Sequence, residues 1–160
     1  MSPGLPNRES GRWDERASEL ARQEIGFIAN RGFTNLTRAE ARELEELDLA
    51  PFGPGPLRRD LPVHLGHMCA TELLTPGDER LLFRRFNYLK FQANVLRTQL
   101  CPDRPSRVRV QRIEWLLREA QRTLDCIVLA NLRLVISLVK RLSAVEMSFD
   151  ELLSDGTVAL

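Results

Sequence analysis

A chain of 160 residues is long enough for one compact core, or for a small core carrying an extension. Its 43% hydrophobic and 28% charged residues match ordinary globular usage and exclude a largely disordered chain, while its longest apolar runs fall far short of the roughly 20 residues that a membrane helix needs. Net charge is only +1, so the whole-molecule field drives the chain neither onto nucleic acid nor onto acidic substrates, and any such contact must be local.

Met1 to Arg12 carries proline, glycine and charges without an apolar core, which is unlike a secretory signal, so a cytoplasmic protein is expected. Cys69, Cys101 and Cys126 are odd in number, widely spaced and without a CxxC pair, in keeping with reduced thiols. From Trp13, the apolar residues Trp13, Ala17, Ala21, Ile25 and Ile28 recur at helical spacing and predict a helix that stops at Gly32. Thr37 with Glu40 three residues on is a capping-box pattern, and it predicts a second helix through Ala41, Leu44 and Leu47 that ends near Pro51. Residues 50–62 hold four prolines and two glycines and read as a linker, since proline cannot donate to a regular ladder. The expected organisation is a flexible helical N-terminal extension over 1–49, a linker over 50–62 and a helical domain over 63–160.

After the linker, Thr75 suits an N-cap, Pro76 the first helical position, and Asp78 and Glu79 the positive end of the helix dipole. The helix they open has a seam of Leu82, Phe86, Leu89, Ala93, Leu96 and Leu100, and Cys101-Pro102 should break it. A turn over Cys101 to Ser106 leads into a longer helix from about Ser106 to about Leu142. Its stripe is Ile113, Leu117, Ala120, Leu124, Ile127, Asn131, Val135, Leu138 and Leu142. The fold class predicted is therefore all-α, a bundle of long antiparallel helices. Beyond Asn131 the apolar set widens to Leu132, Leu134, Ile136 and Val139, so this half should be packed on several sides, and Asn131 reads as a buried amide that fixes helix pairing.

The last element has a sharper pattern. Ser148 and Glu151 form a second capping box, with Met147 placed to staple onto Leu152. Phe149, Leu152, Leu153, Gly156 and Leu160 share an inward face, and Gly156 allows close backbone approach. Asp150, Glu151, Ser154, Asp155, Thr157 and Val158 fall on the other side, a face suited to a basic partner or to plain solvation. Leu160 falls in the middle of this pattern, which reads as an incomplete domain.

The run Ala130-Asn131-Leu132-Arg133-Leu134-Val135-Ile136-Ser137-Leu138-Val139-Lys140-Arg141-Leu142 is similar to the long helix that opens region 2 of the sigma-70 family of RNA polymerase initiation factors. Ser148-Phe149-Asp150-Glu151-Leu152-Leu153-Ser154-Asp155-Gly156-Thr157-Val158-Ala159-Leu160 resembles the family's next helix, usually close to Phe-x-Asp-Leu-Ile-Gln-Glu-Gly-Asn-Ile-Gly-Leu. Glu72-Leu73-Leu74-Thr75 followed by Leu82-Phe83-Arg84-Arg85-Phe86-Asn87-Tyr88-Leu89-Lys90-Phe91 resembles the segment that precedes region 2 in some branches. The resemblance covers roughly 61–160 and implies an incomplete region 1.2 and region 2-like domain.

In that family the second of these helices docks on the coiled-coil clamp helices of the polymerase's largest subunit. The resemblance carries the contact positions onto Glu151, Ser154, Asp155 and Thr157, where Asp, Gln, Glu and Asn are usual. Glu151 and Asp155, one turn apart, could accept charge-assisted bonds from basic side chains. Glu146 departs from the family, which tends to have glycine in that turn, and Leu65-Gly66 replaces its usual Met-Arg pair. The implied function is DNA-templated transcription initiation: core RNA polymerase is the partner, promoter DNA is met only within the holoenzyme, and the promoter-reading segments are missing. The alternative is a sigma-derived regulator that occupies the clamp without initiating.

Other clusters have two readings each. Arg104, Arg107, Arg109 and Arg112 are the densest basic group and would either contact nucleic-acid phosphate or remain solvated. Phe83, Phe86, Tyr88 and Phe91 among Arg84, Arg85 and Lys90 would either stack on single-stranded DNA or pack a core beneath a charged outer face, and packing is the expectation. His64, His67 and Cys69 are three soft groups without paired metal-ligand spacing, so no metal is expected. No nucleophile and base pairing, P-loop or dinucleotide fingerprint is visible, so neither enzyme activity nor a cofactor, small-molecule substrate or membrane is expected.

Overall fold

The computed structural model describes residues 8–53, 55, 73–101, 106–142 and 149–159. Every regular element among them is helical: α1 (Arg8–Arg22), a 3-10 turn (Arg31–Thr34), α2 (Arg38–Glu45), a second 3-10 turn (Ala50–Phe52), α3 (Pro76–Thr98), α4 (Arg107–Leu142) and α5 (Phe149–Val158). The linker expected at 50–62 thus opens with a helical turn, and most of it, with His64, His67 and Cys69, lies outside the described residues. Two compact units are present, each built from two stretches of chain. The first joins the residues up to Glu46 with Arg84–Gln121, and the second joins Leu47–Phe83 with the residues from Arg122 onward.

In the first unit the core is Ala17 and Leu20 of α1, Ile25, Leu89 and Ala93 of α3, and Val110, Ile113, Leu116 and Ala120 of α4, with Trp13, Phe86, Leu96 and Trp115 packed around it. Within this unit α3 and α4 run antiparallel: Arg85 meets Glu119 near one end, and Arg109 Nη1 donates to the Gln99 carbonyl at 2.7 Å near the other. The segment expected to be a flexible extension instead supplies part of this core. Its apolar residues are the ones that cover α3 and α4, and burying them is what holds the segment down.

α1 ends at Arg22, not near Gly32 as the spacing of Ile25 and Ile28 suggested. Side chains of α3 take up the groups that further helix would have used. Arg97 Nη1 donates to the Ala21 carbonyl at 2.9 Å, supplying one of the last helix acceptors with a cationic partner, and the Ile28 N–H donates to Asn87 Oδ1 at 2.8 Å. Ile25 is buried while Ile28 is exposed, so the periodicity was right for the first and misleading for the second.

The Thr37–Glu40 capping box is present, with both reciprocal bonds formed. α2 stops at Glu45, short of Pro51, because Arg85 occupies its C-terminal end. The Arg85 side chain is 1% exposed; its Nε donates to the Leu44 carbonyl at 2.8 Å, and its Nη2 donates to the Glu45 carbonyl at 3.1 Å and to Glu119 Oε2 at 3.0 Å. These carbonyls belong to the last turn of α2, which has no intrahelical donors for them, and a cation there also suits the helix dipole.

α3 opens as predicted. Thr75 Oγ1 accepts from the Asp78 N–H at 3.2 Å, and the Thr75 N–H donates to Asp78 Oδ2 at 3.0 Å, an aspartate version of the capping box. Leu82, Leu89 and Ala93 of the expected seam are fully buried, and the helix ends at Thr98, three residues before Cys101. α4 starts at Arg107 behind Ser106, whose Oγ accepts from the Arg109 N–H at 3.4 Å.

Candidate partner-docking face

The second unit contains two of the runs that carry the family resemblance, Ala130–Leu142 and the one from Ser148 onward. Along α4 the buried apolar residues there are Ile127, Ala130, Leu132, Val135, Ile136 and Val139, with Thr123 also buried; past Asn131 the buried set lies within about 100° of helix, one face where packing on several sides was expected. Leu134 and Leu138 are instead 54% and 47% exposed. Leu138 therefore departs from the predicted stripe and Val139 replaces it. Asn131 is half-buried, and its Nδ2 donates to the Ile127 carbonyl of the same helix at 2.9 Å, so the amide is satisfied along α4, where the sequence reading had it fixing helix pairing.

α5 forms where its sequence predicted. Ser148, Met147 and the capping box they were expected to build lie outside the described residues, as do the side chains of Asp150 and Glu151. Gly156 faces Val135 of α4 so closely that a Cβ built on it would lie 2.5 Å from Val135 Cγ1. At about 100° per residue, Ser154 and Val158 then point almost directly away from α4, with Asp155 and Thr157 on the two flanks. The surface exposure agrees: Ser154, Asp155 and Thr157 are exposed and Val158 is 85% exposed. Three of the four predicted contact positions therefore share one solvent-facing surface, with an apolar residue at its centre. Asp155 stands in the last turn of α5, where the negative end of the helix dipole disfavours a carboxylate, so this charge does nothing for the helix itself.

The predicted basic cluster is dispersed. Arg107 stacks over the Trp13 ring at 4.8 Å, Arg109 holds the Gln99 carbonyl, and Arg112 pairs with Glu45 while lying 4.3 Å from the Trp115 ring centroid. Arg104 lies outside the described residues. Three cations with intrachain partners make a poorer phosphate grip than four free ones. The aromatic set of α3 mostly packs inward. Tyr88 is buried, Phe33 meets Tyr88 and Phe91 with centroids 5.7 Å apart, and Lys90 lies 4.8 Å over the Phe86 ring, while Phe83 is 47% exposed. Arg85, expected on a charged outer face, is buried. Charge alone marked it as exposed, and only its helix-end partners explain the difference.

Sequence reasoning missed two clefts. One, of about 450 Å³ in the first unit, has a floor of Phe33, Tyr88 and Phe91 and a rim that includes Thr37, Arg38 and Gln92. Gln92 Nε2 donates to Tyr88 Oη at 3.0 Å, and burial, with the nearby Glu45 carboxylate second, raises the Tyr88 pKa. Its lining holds no carboxylate, histidine or thiol to act as acid, base or nucleophile. The other, of about 370 Å³ in the second unit, is lined by Asp48, Arg122, Asp125 and Cys126 among others. Among the described residues no group of three His, Cys, Asp or Glu could hold a metal ion, and no helix is long and apolar enough to cross a membrane.

No family model, no curated protein and no solved structure matches this chain.

Proposed function

We propose that this chain binds core RNA polymerase through α5 in the manner of a sigma-70 factor and acts in transcription initiation. The observation that carries the reading is the α5 face. Gly156 backs onto α4, and the positions that the family resemblance marks for contact, Ser154, Asp155 and Thr157, are turned to solvent around Val158. A carboxylate in the last turn of a helix gains little from its own helix and would gain more from a basic side chain of a partner. Glu151, one turn earlier, would add a second acceptor.

Co-purification with bacterial core RNA polymerase tests this. The parent chain should be retained, and the double substitution Glu151→Lys with Asp155→Lys should abolish retention by placing like charges against the basic clamp surface. Equal retention of parent and variant would remove the mechanism. Competition against an intact sigma factor in run-off transcription separates the two forms of the reading: a chain that suppresses transcripts without supporting any of its own is the clamp-occupying regulator.

A further inference from the structure

Gly156 stands inside a helix, where glycine is a poor choice on propensity alone, because its backbone is costly to order and it has no side chain to pack. The local geometry gives a reason for it. A methyl group at this position would fall 2.5 Å from Val135 Cγ1, with Val135 Cβ and Cγ2 at 3.7 and 3.9 Å. Val135 cannot simply turn aside, because one χ1 rotamer dominates for valine in a helix and this valine is 7% exposed, with little free space beside it. Relief would come from α5 moving outward by about 1 Å, to ordinary carbon–carbon contact.

We infer that Gly156 and Val135 form a positioning pair, in which the absent side chain of one and the branched side chain of the other set the height at which α5 presents Ser154, Asp155 and Thr157. The inference rests on the docking role proposed for that face. A displacement of this size matters because charge-assisted hydrogen bonds between docked surfaces are short and directional. Neither residue touches the partner. Both act through the seat of the helix.

The test is a two-residue size exchange in the full chain, with affinity for bacterial core RNA polymerase measured by biolayer interferometry and helix content by circular dichroism. Alanine is the better helix former, so Gly156→Ala should leave helix content unchanged or slightly raised, yet weaken polymerase binding by about tenfold. Val135→Ala alone creates no overlap but lets α5 settle closer to α4, so it should weaken binding by less than Gly156→Ala does. The double substitution removes the obstructing Cγ1 and should restore affinity to near that of the parent. If Gly156→Ala binds as the parent does, or if the double variant stays as weak as Gly156→Ala while both remain helical, the positioning role is wrong and the docking reading survives. If the parent itself fails to bind, the docking reading falls and takes the role with it. A thermal denaturation cycle on the same four proteins would then report only whether the two residues meet.

Discussion

Arg85 is a residue whose removal should be costly. A guanidinium buried to this degree is tolerable only because Leu44, Glu45 and Glu119 accept from it, and each of those acceptors is in turn left short of a donor if it goes. Arg85→Met keeps the volume of the stem and deletes the donors. It should destabilise the chain by about 3 kcal/mol, read as a fall in the urea midpoint with an unchanged slope. A change within about 0.5 kcal/mol would mean that the carbonyls find water instead. Sequence reading had no way to single out this arginine from Arg84 beside it, because the two stand together between Phe83 and Phe86 on a helix otherwise rich in charge. What distinguishes Arg85 is that the C-terminus of a helix forty residues earlier arrives at its side chain, a long-range fact that no local pattern encodes. The same limit applies to Asn87 and Arg97, whose partners are Ile28 and Ala21.

Helices were legible wherever the ends carried their own chemistry. Thr37 with Glu40, and Thr75 with Asp78, close reciprocal bonds within four residues, so the start of α2 and α3 could be read from the chain. Helix ends that depend on distant side chains, those of α1 and α2, were read too long. Along α4 the predicted stripe held at Val135 and failed at Leu138, for a different reason. In Ile113–Ala120 and in Leu132–Val139 the buried positions fall on different sides of a 3.6-residue wheel, so no single stripe describes both. The candidate site was more legible than the long helix that supports it: the outward set of α5 follows from ten residues and one glycine, whereas the Val135 contact needed the structure.

The capping boxes also make α2 and α3 respond to acid. The Thr37 hydroxyl first and its N–H second hold the Glu40 carboxyl below its ordinary range, and the same two groups of Thr75 do so for Asp78. A carboxylate with a depressed folded-state pKa contributes stability that is complete above its unfolded value and is lost as pH falls through the folded one. Helix content should therefore be level from neutral pH down to the ordinary carboxylate range and decline below it. Glu40→Gln with Asp78→Asn should flatten that decline, as followed by ellipticity at acid pH. An equally steep loss in the substituted chain would place the sensitivity in other carboxylates.

For the whole molecule, charge is nearly balanced, and the described members of the basic cluster are engaged at home by Trp13, Gln99, Glu45 and Trp115. Free in solution, the chain should hold DNA weakly and without sequence preference, with binding that fades as salt rises. A gel shift comparing a minus-ten oligonucleotide with a scrambled one at low and physiological salt checks this, and tight selective retention of the first would contradict it.

How the first unit is assembled bears on how this protein can be cut. A boundary drawn at the proline-rich stretch invites a shortened chain beginning at Leu47, yet that chain would lose Ala17, Leu20, Ile25, Phe33 and Leu44 in one stroke. Leu89, Ala93, Val110, Ile113 and Leu116 would then lie bare along a helical hairpin, an oily strip with nothing to lie against but its own kind. Such a trimmed protein should leave a sizing column as aggregates or oligomers, while the untrimmed one elutes at its own mass.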